Sequence, residues 1–262
     1  MRGRWDWRRL STTQRVQQRP QRCLYQRYMT ITRDQIEDLV KHGLVADIFR
    51  METAYFLLKT IGANAAGINT PNAGNFGHLF GTLQRSLITE AILAAARLYD
   101  PPNQRYPTRC IRGLLDFLEN NRNDLPPIKE LYNLKQELRR IGTSETVISL
   151  ASSDEIAFAG ALSQKFKNIL DNPQTTETIQ KLKNVRDKAI AHNEQVAQIT
   201  GPTWEGLELL MKHAKDLTGV LGWAYLNTAY AINGEYILTS DAGQPSRALK
   251  RLFQKIGIPP GA

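Results

Sequence analysis

The 262-residue sequence predicts an all-α protein, a bundle of antiparallel helices. Apolar residues recur at steps of three and four over long segments, which is the spacing of one helical face. Asn, Asp, Gly and Pro interrupt these segments where helices usually begin and end. Residues 142–150 leave room for one short strand, and no alternating apolar–polar pattern competes elsewhere. The chain is therefore expected to bury its apolar stripes helix against helix.

Two long helices open the body of the chain. The first is expected to begin near Asp34, where Thr32 and Gln35 have the spacing of a capping box. Its apolar face consists of Ile36, Val40, Leu44, Ile48, Met51, Tyr55 and Leu58. A flexible, polar loop is predicted from Gly62 to Gly77. The face of the second helix consists of Phe80, Leu83, Leu87, Ala91, Ala94 and Leu98. This helix should end at Asp100-Pro101-Pro102, because proline cannot continue a helix.

Four further segments are interpreted as helices, at about 108–121, 126–140, 152–170 and 175–192. Pro126-Pro127 opens the second of them, since proline suits a first helical turn. Ser152 and Glu155 have capping-box spacing at the start of the third. Asp171-Asn172-Pro173 separates the third from the fourth, which should run from Thr175 to His192.

The last long helix is predicted from Trp204 to Ile232. Its apolar residues alternate strictly at three and four, which is typical of the seam of a bundle or a coiled coil. This seam consists of Leu207, Leu210, Ala214, Leu217, Leu221, Ala224 and Thr228. A purely structural dimer that uses the seam is one hypothesis for the role of the protein. One short basic helix is expected near Ser246 to Ile256.

The formal net charge of +9 arises mostly from residues 1–28, which hold eight Arg and one acidic residue. The remaining chain has a balance of only +2. We expect residues 1–28 to be a disordered basic tail. Because Met29 precedes a helix start, the tail can also be upstream sequence outside the native protein. A basic arm for nucleic-acid phosphates and an Arg-rich transit peptide remain as alternatives.

The body is expected to divide into a helical domain, residues 29–232, and a C-terminal extension, residues 233–262. No run of about 18 uncharged apolar residues occurs, so no membrane-spanning helix is predicted. The two cysteines, Cys23 and Cys110, fit a reducing, cytoplasmic compartment. Four scattered His residues have no metal-ligand spacing, and no phosphate-binding loop or hydrolase motif occurs. We therefore predict neither a metal nor a cofactor.

The segment Lys181 to Asn193 contains the best candidates for chemistry. On an ideal helix its inward stripe consists of Ile179, Leu182, Val185 and Ala189. Arg186 and His192 then flank the buried face, whereas Asp187 points largely outward. An Arg and a His beside a groove can together hold a phosphate and move a proton. The alternative is that basic residues in the last turns simply complement the helix dipole.

Arg186-Asp187-Lys188-Ala189-Ile190-Ala191-His192 resembles the signature of HEPN domains, an all-helical superfamily. That signature is Arg, a polar residue, three to five further positions, then His. Glu90 to Pro102 is similar to the second helix of HEPN proteins of the abortive-infection AbiU type, which ends in an Arg-Leu-aromatic-Asp-Pro run. Here that run is Arg97 to Pro101. Many toxin-type HEPN domains have a Tyr two residues after the His, and this chain has Glu194 there.

The resemblance implies a HEPN-like antiparallel bundle over roughly Thr32 to Ile232. It implies either a metal-independent endoribonuclease of host defence or an inactive relative that binds RNA, a nucleotide or a protein. RNA supplies its own nucleophile, the 2′-hydroxyl, so such an enzyme requires no metal. The resemblance also implies a homodimer with motif helices from both subunits at one cleft, and it leaves room for a neutralising or regulatory protein partner.

The same resemblance suggests roles for the motif residues. His192 would act as general base or general acid. Arg186 would hold the scissile phosphate and stabilise charge on its oxygens. Asp187 would orient either of them, and Lys188 would add a phosphate contact.

Arg97 is a second candidate for substrate binding. A charge within the apolar run AILAAARL is costly if it is buried alone. Arg97 should therefore either reach a cleft or form an ion pair with Asp100 or with a Glu, since such pairs are common on helices.

Overall fold

The computed structural model describes residues 32–70, 76–103, 105, 108–191 and 200–258, without the side chains of residues 189 and 191. Within these ranges nearly all regular structure is helical, with a single two-stranded sheet. The predicted all-α class is therefore confirmed. The predicted tail, residues 1–28, lies outside the described residues, as do His192 and Glu194.

The elements follow one another in a simple order. The first continuous helix comprises α1 (residues 32–37), the π-helical stretch π1 (Asp38–Val45) and α2 (Ala46–Ala63). The next elements are α3 (Ala65–Ile68), α4 (Gly77–Tyr99), α5 (Ile111–Asn120), α6 (Leu131–Arg140), α7 (Glu145–Ser153) and α8 (Glu155–Leu170). Two helices that continue as π-helices follow: α9 (Pro173–Asn184) with π2 (Val185–Ala191), and α10 (Trp204–Leu221) with π3 (Gly222–Leu226). The described chain ends with β1 (Ala231–Ile232), β2 (Glu235–Tyr236), α11 (Thr239–Ala242) and α12 (Gln244–Lys255).

The predicted apolar stripes form the core. All seven residues predicted on the first face, Ile36 to Leu58, are buried. On the second face Phe80, Ala91, Ala94 and Leu98 are buried, whereas Leu83 is 41% exposed. The small side chains therefore lie in the half of α4 that enters the core, where they let neighbouring helices approach closely.

The helices α2 and α4 form an antiparallel pair. Ile61 and Phe80 meet in one apolar cluster at one end of the pair, and Asp47 contacts Arg97 at the other end. This pairing brings the end of α4 beside the start of α2 and thereby sets the position of Asp100, which follows α4.

The central element is α10, which packs against α2, α4, α6, α9 and π1. Six of the seven predicted seam residues are buried: Leu207, Leu210, Ala214, Leu217, Leu221 and Ala224. A helix that is buried on so many sides belongs to the interior of a bundle. The seam therefore packs within its own chain, and a structural dimer cannot use it without unfolding the core.

Several predicted boundaries are wrong. The predicted loop 62–77 begins with the end of α2 and contains the short helix α3. Residues 142–150 hold no strand, because α7 begins at Glu145. The charged segment after Pro126-Pro127 becomes helical only at Leu131. These differences arise at helix termini, where the spacing of apolar residues predicts boundaries least accurately.

The start of α8 also differs from the prediction. Asp154, and not Ser152, is the N-cap, and its carboxylate accepts a hydrogen bond from the N–H of Ala157 at 2.9 Å. Ser152 lies in the last turn of α7, where its hydroxyl donates to the Ser149 carbonyl oxygen at 3.0 Å. The backbone of Asp154 is extended, as an N-cap requires, and this separates two helices that are adjacent in sequence.

The helix α10 ends well before the predicted Ile232. Its last turn widens into π3, and Asn227 then takes a left-handed conformation with φ 55°. Gly222 permits this close turn, because a Cβ at that position would overlap the carbonyl oxygen of Thr228. The chain continues as an antiparallel hairpin whose turn residues, Asn233 and Gly234, have φ 51° and 86°. Asn-Gly is the preferred pair for such a turn.

The C-terminal segment packs onto the body. The predicted short basic helix is present as α12, and it contacts α2. Phe253 and Ile258 join Ile61, Ile68 and Phe80 in a second apolar cluster. Within the described ranges, no helix is long and apolar enough to cross a lipid bilayer.

Candidate functional site

The segment with the arginine motif lies at the end of α9 and in π2. Asn172 starts α9, because its side-chain oxygen accepts a backbone N–H at 3.0 Å and Pro173 follows in the first turn. Of the predicted inward residues, Leu182 is buried, while Ile179 and Val185 pack against the core. The helix α4 packs against both α9 and π2. The two sequence segments that resemble HEPN motifs are therefore neighbours in space.

Arg186 connects these two segments directly. Its Nη1 donates a hydrogen bond to Oδ1 of Asp100, and its Nε donates to Oδ1 of Asp187 at 2.7 Å. The Arg186 side chain is 22% exposed and that of Asp100 is 28% exposed. One guanidinium therefore lies between two carboxylates, and within the described part of the chain its third nitrogen, Nη2, has no hydrogen-bond partner.

The local sequence explains how Asp100 reaches Arg186. The backbone N–H of Asp100 donates to the Ala96 carbonyl oxygen at 2.8 Å, which completes the last turn of α4. The backbone of Asp100 itself is extended, with φ −62° and ψ 149°, as expected for a residue before proline. This turn directs the chain away from α4 and leaves the carboxylate beside π2.

The charges at this site are closely coupled. The hydrogen bond to Asp187 and the nearby charge of Asp100 raise the pKa of the Arg186 guanidinium, against the opposing effect of partial burial. Arg186 thus remains a permanent cation. The two carboxylates nevertheless give the three groups together an excess of negative charge, so an anionic ligand must compete with Asp100 and Asp187 for Arg186.

The π-helical turn changes the geometry expected from an ideal helix. A π-helix widens the turn by one residue, so angular positions calculated at 100° per residue no longer hold after Val185. Asp187 is 39% exposed and turned toward Arg186, although the ideal wheel points it outward. Lys188 is partly buried in π2. The position of His192 relative to Arg186 lies outside the described residues and stays a prediction.

Arg97 is held by carboxylates that differ from the predicted Asp100. Its Nε donates to Oδ1 of Asp47 on α2 at 2.9 Å, and its Nη2 lies 3.7 Å from Oε1 of Glu90. The expected pair with a Glu is present, whereas Asp100 contacts Arg186 instead. Asp47 also accepts from Arg50 at 3.2 Å. The guanidinium of Arg97 therefore ties α4 to α2, and its predicted role in substrate binding remains a prediction.

Sequence reasoning missed Asp100 as the partner of Arg186 and Asp47 as the partner of Arg97. Asp100 stands at the end of an apolar helix directly before two prolines, which indicates a carboxylate held in a defined position. Asp47 interrupts the apolar face of the first helix and is 6% exposed. A buried carboxylate is expected to have a cationic partner, and Asp47 has two, Arg50 on its own helix and Arg97 on α4.

Comparison with known proteins assigns the family. The profile of the HEPN AbiU2 family matches residues 34–242, which include all of the helices from α2 to α11. The chain therefore belongs to the HEPN superfamily, and within it to the AbiU2 family. No curated protein and no solved structure gives a significant match.

Chemically, the site offers one oriented cation and two carboxylates. Arginine can bond a phosphate through two nitrogens, and among the described residues Nη2 of Arg186 has no hydrogen-bond acceptor. The carboxylates can position the guanidinium or accept a proton from a neighbouring group. The described side chains include no cluster of three His, Cys, Asp or Glu residues arranged to hold a metal ion.

Proposed function

We propose that this HEPN domain is a metal-independent endoribonuclease of host defence or abortive infection, which acts on RNA in the cytoplasm. Membership of the AbiU2 family supports the class of protein. The main support for the catalytic site is the contact of Arg186 with both Asp100 and Asp187. This contact orients the motif arginine between the end of α4 and π2, the two segments that resemble HEPN motifs. Oriented cations are the groups that stabilise charge on a reacting phosphate.

In the proposed reaction, His192 removes the proton of a ribose 2′-hydroxyl. The 2′-oxygen then attacks the adjacent phosphorus, and the bond from phosphorus to the 5′-oxygen breaks. A general acid protonates the departing 5′-oxygen. The products are a 2′,3′-cyclic phosphate and a 5′-hydroxyl, and the nucleophile comes from the RNA itself. Arg186 stabilises the phosphate oxygens, while Asp187 and Asp100 hold its guanidinium in place.

The proposal includes a homodimer and a regulator. A second copy would bring another His192 to the cleft, so that one histidine acts as base and the other as acid. The body of the chain carries a balance of only +2, which favours a partner or a dimer surface over strong autonomous RNA binding. Lys188 and Arg97 are the proposed additional contacts to RNA phosphates, and a protein partner would neutralise the activity.

A second function is favoured by the charge at Arg186. Two carboxylates already form ion pairs with the Arg186 guanidinium. An RNA phosphate therefore gains less binding free energy from this arginine than from an unpaired one. An inactive HEPN module that binds RNA, a nucleotide or a protein partner would need no displacement of these carboxylates. This alternative predicts binding without cleavage.

The decisive experiment is cleavage of total RNA by the full chain in EDTA. We expect Arg186→Ala and His192→Ala to lower the cleavage rate about 100-fold or more, which is typical for loss of an acid–base or charge-stabilising group. Arg112→Ala and His78→Ala are matched controls, because Arg112 contacts Asp171 at the surface and His78 is exposed on α4. The parent should produce 2′,3′-cyclic phosphate ends.

Two results would overturn the catalytic proposal. If the parent leaves RNA intact, the chain is not an autonomous ribonuclease. If Arg186→Ala and His192→Ala cleave as fast as the controls, the activity comes from a contaminant or from another site. Circular dichroism of each variant distinguishes loss of catalysis from loss of folding.

A further inference from the structure

A cavity of about 560 Å³ lies between α7, α8, α9 and α10, and Arg186 does not line it. Lys165 of α8 and His213 of α10 are the ionisable groups in its wall. None of the described residues that line it is an Asp or a Glu. A concave site with convergent donors and no carboxylate attracts an anion.

The charge of Lys165 is poorly compensated. Its ammonium donates to the carbonyl oxygens of Ile141 at 3.3 Å and Gly142 at 3.5 Å, which are long contacts with neutral groups. The carboxylate whose charge acts on Lys165, Asp216, is already bonded by Arg140 at 2.6 Å and by Lys212 at 2.7 Å. Burial lowers the pKa of Lys165, the charge of Asp216 opposes this effect only in part, and the charge of Lys212 adds to it. Burial, together with Lys212, also lowers the pKa of His213.

The start of α7 adds backbone donors without a side-chain cap to the same wall. Ser144 is the N-cap of this nine-residue helix, but its side chain makes no capping hydrogen bond. The first amides of α7 therefore lack a side-chain acceptor. Beside it, Thr143 is 8% exposed, and within the described structure its Oγ1 has no hydrogen-bond partner. A buried hydroxyl without a partner is costly, and it points to a group that the protein itself does not supply.

The rest of the wall is apolar. Val147, Ile169 and Leu209 line the cavity beside the polar groups. A ligand that fits both parts has an anionic head and a flat or apolar body. The volume admits a molecule of the size of a small aromatic phosphate, and inorganic phosphate alone would leave the apolar wall uncovered.

We propose that this cavity binds a small organic phosphate, with the phosphate group at Lys165, His213 and the start of α7, and the apolar body against Val147, Ile169 and Leu209. The site is separate from the proposed catalytic one. The cavity contacts Asn172, Gln174 and Thr175 at the start of α9, whereas Arg186 follows its end. The 12 residues of α9 separate the two sites by about 18 Å at 1.5 Å per residue.

The test is calorimetric titration of the full chain with phenyl phosphate, inorganic phosphate and phenol. We expect phenyl phosphate to bind more tightly than the other two probes. Lys165→Gln should weaken its binding about tenfold or more, because it removes the charge that pairs with the phosphate. Lys183→Gln is the matched control, since Lys183 is exposed on α9 and outside the cavity.

A second variant distinguishes loss of the binding site from loss of folding. Ser144→Asp places a good N-cap at α7, so it should preserve or raise the thermal stability, yet its carboxylate occupies the position of the phosphate. We expect it to weaken phenyl phosphate binding as Lys165→Gln does. Arg186→Ala should leave the binding unchanged, which keeps this result independent of the ribonuclease proposal.

The inference is overturned if phenyl phosphate shows no saturable binding to the parent. It is equally overturned if inorganic phosphate binds as tightly, if Lys165→Gln and Ser144→Asp bind like the parent, or if Arg186→Ala alone abolishes binding. In the last case the phosphate occupies the motif site.

Discussion

The side chain of Arg186 shows how a single residue acquires its surroundings from two distant parts of the chain. Asp187 is its neighbour in sequence, whereas Asp100 precedes it by 86 positions. A planar guanidinium can bond both carboxylates at once, because its donors point in different directions. The site is therefore a property of how π2 packs against the end of α4, and Asp100 is as much a part of it as the predicted Asp187.

The contribution of this contact can be measured through Asp100→Asn. The substitution removes the charge but retains an oxygen that accepts a hydrogen bond. We expect the free energy of unfolding to fall by about 1 kcal/mol, because a charge-assisted hydrogen bond in a partly buried place becomes a neutral one. Urea denaturation followed by circular dichroism measures the change.

The control for this change is Asp124→Asn, since Asp124 is exposed and its carboxylate makes no ion pair in the described structure. It should alter stability by less than about 0.5 kcal/mol. If the two variants lose the same stability, the Arg186–Asp100 contact contributes nothing measurable to folding.

At the scale of elements, helix ends decide several features that periodicity leaves open. The break between α7 and α8 depends on one extended residue, Asp154, and on the hydrogen bond from Ala157 to its carboxylate. The π-helical stretch after α9 changes which side of the helix carries Asp187. In both places the backbone geometry of a single turn departs from what the apolar periodicity predicts.

Asp154→Ala and Ser152→Ala separate the observed cap from the predicted one. Loss of the Asp154 cap should lower the free energy of unfolding by about 1 kcal/mol. Ser152→Ala should cost less than about 0.5 kcal/mol, because its hydroxyl donates to a carbonyl within its own turn and accepts one exposed hydrogen bond from Lys135 at 3.2 Å. Thermal melts of the two variants provide the comparison. If both substitutions lower the stability equally, the assignment of Asp154 rather than Ser152 as the N-cap is wrong.

At the scale of the whole molecule, α10 organises the bundle. Its apolar residues are buried by helices from both the N-terminal and the central part of the chain. Several apolar residues remain on the surface, for example Leu79, Leu83 and Ile88 on α4, and on α10 only its first residue, Trp204, belongs to this group. Any dimer of the proposed ribonuclease must therefore use surfaces other than the α10 seam.

Leu210→Ala tests this central role. Leu210 is fully buried, so the substitution leaves a cavity and should lower the free energy of unfolding by about 2 to 5 kcal/mol. Leu83→Ala, at a site 41% exposed on α4, should cost far less. Chemical denaturation measures both, and a small effect at Leu210 would contradict the placement of α10 in the core.

Local patterns in the amino-acid sequence were enough to predict the all-α class, the approximate helix spans, the buried stripe from Ile36 to Leu58 and the seam of α10. It also indicated the AbiU-type family, since both motif segments can be read along the chain. These features depend on residues three or four positions apart, and a linear pattern displays such relations directly.

The choice of charged partners depends on helix packing and could not be predicted along the chain. Packing pairs Arg186 with Asp100 and Arg97 with Asp47, and it brings α12 back onto α2. The π-helical end of α10 was likewise visible only in the folded chain. Packing also assembles the cavity at Lys165 and His213 from four helices. The ion pairs, the α12–α2 contact and the cavity join residues far apart in sequence, and their partners are selected by how whole helices pack, which no local periodicity records.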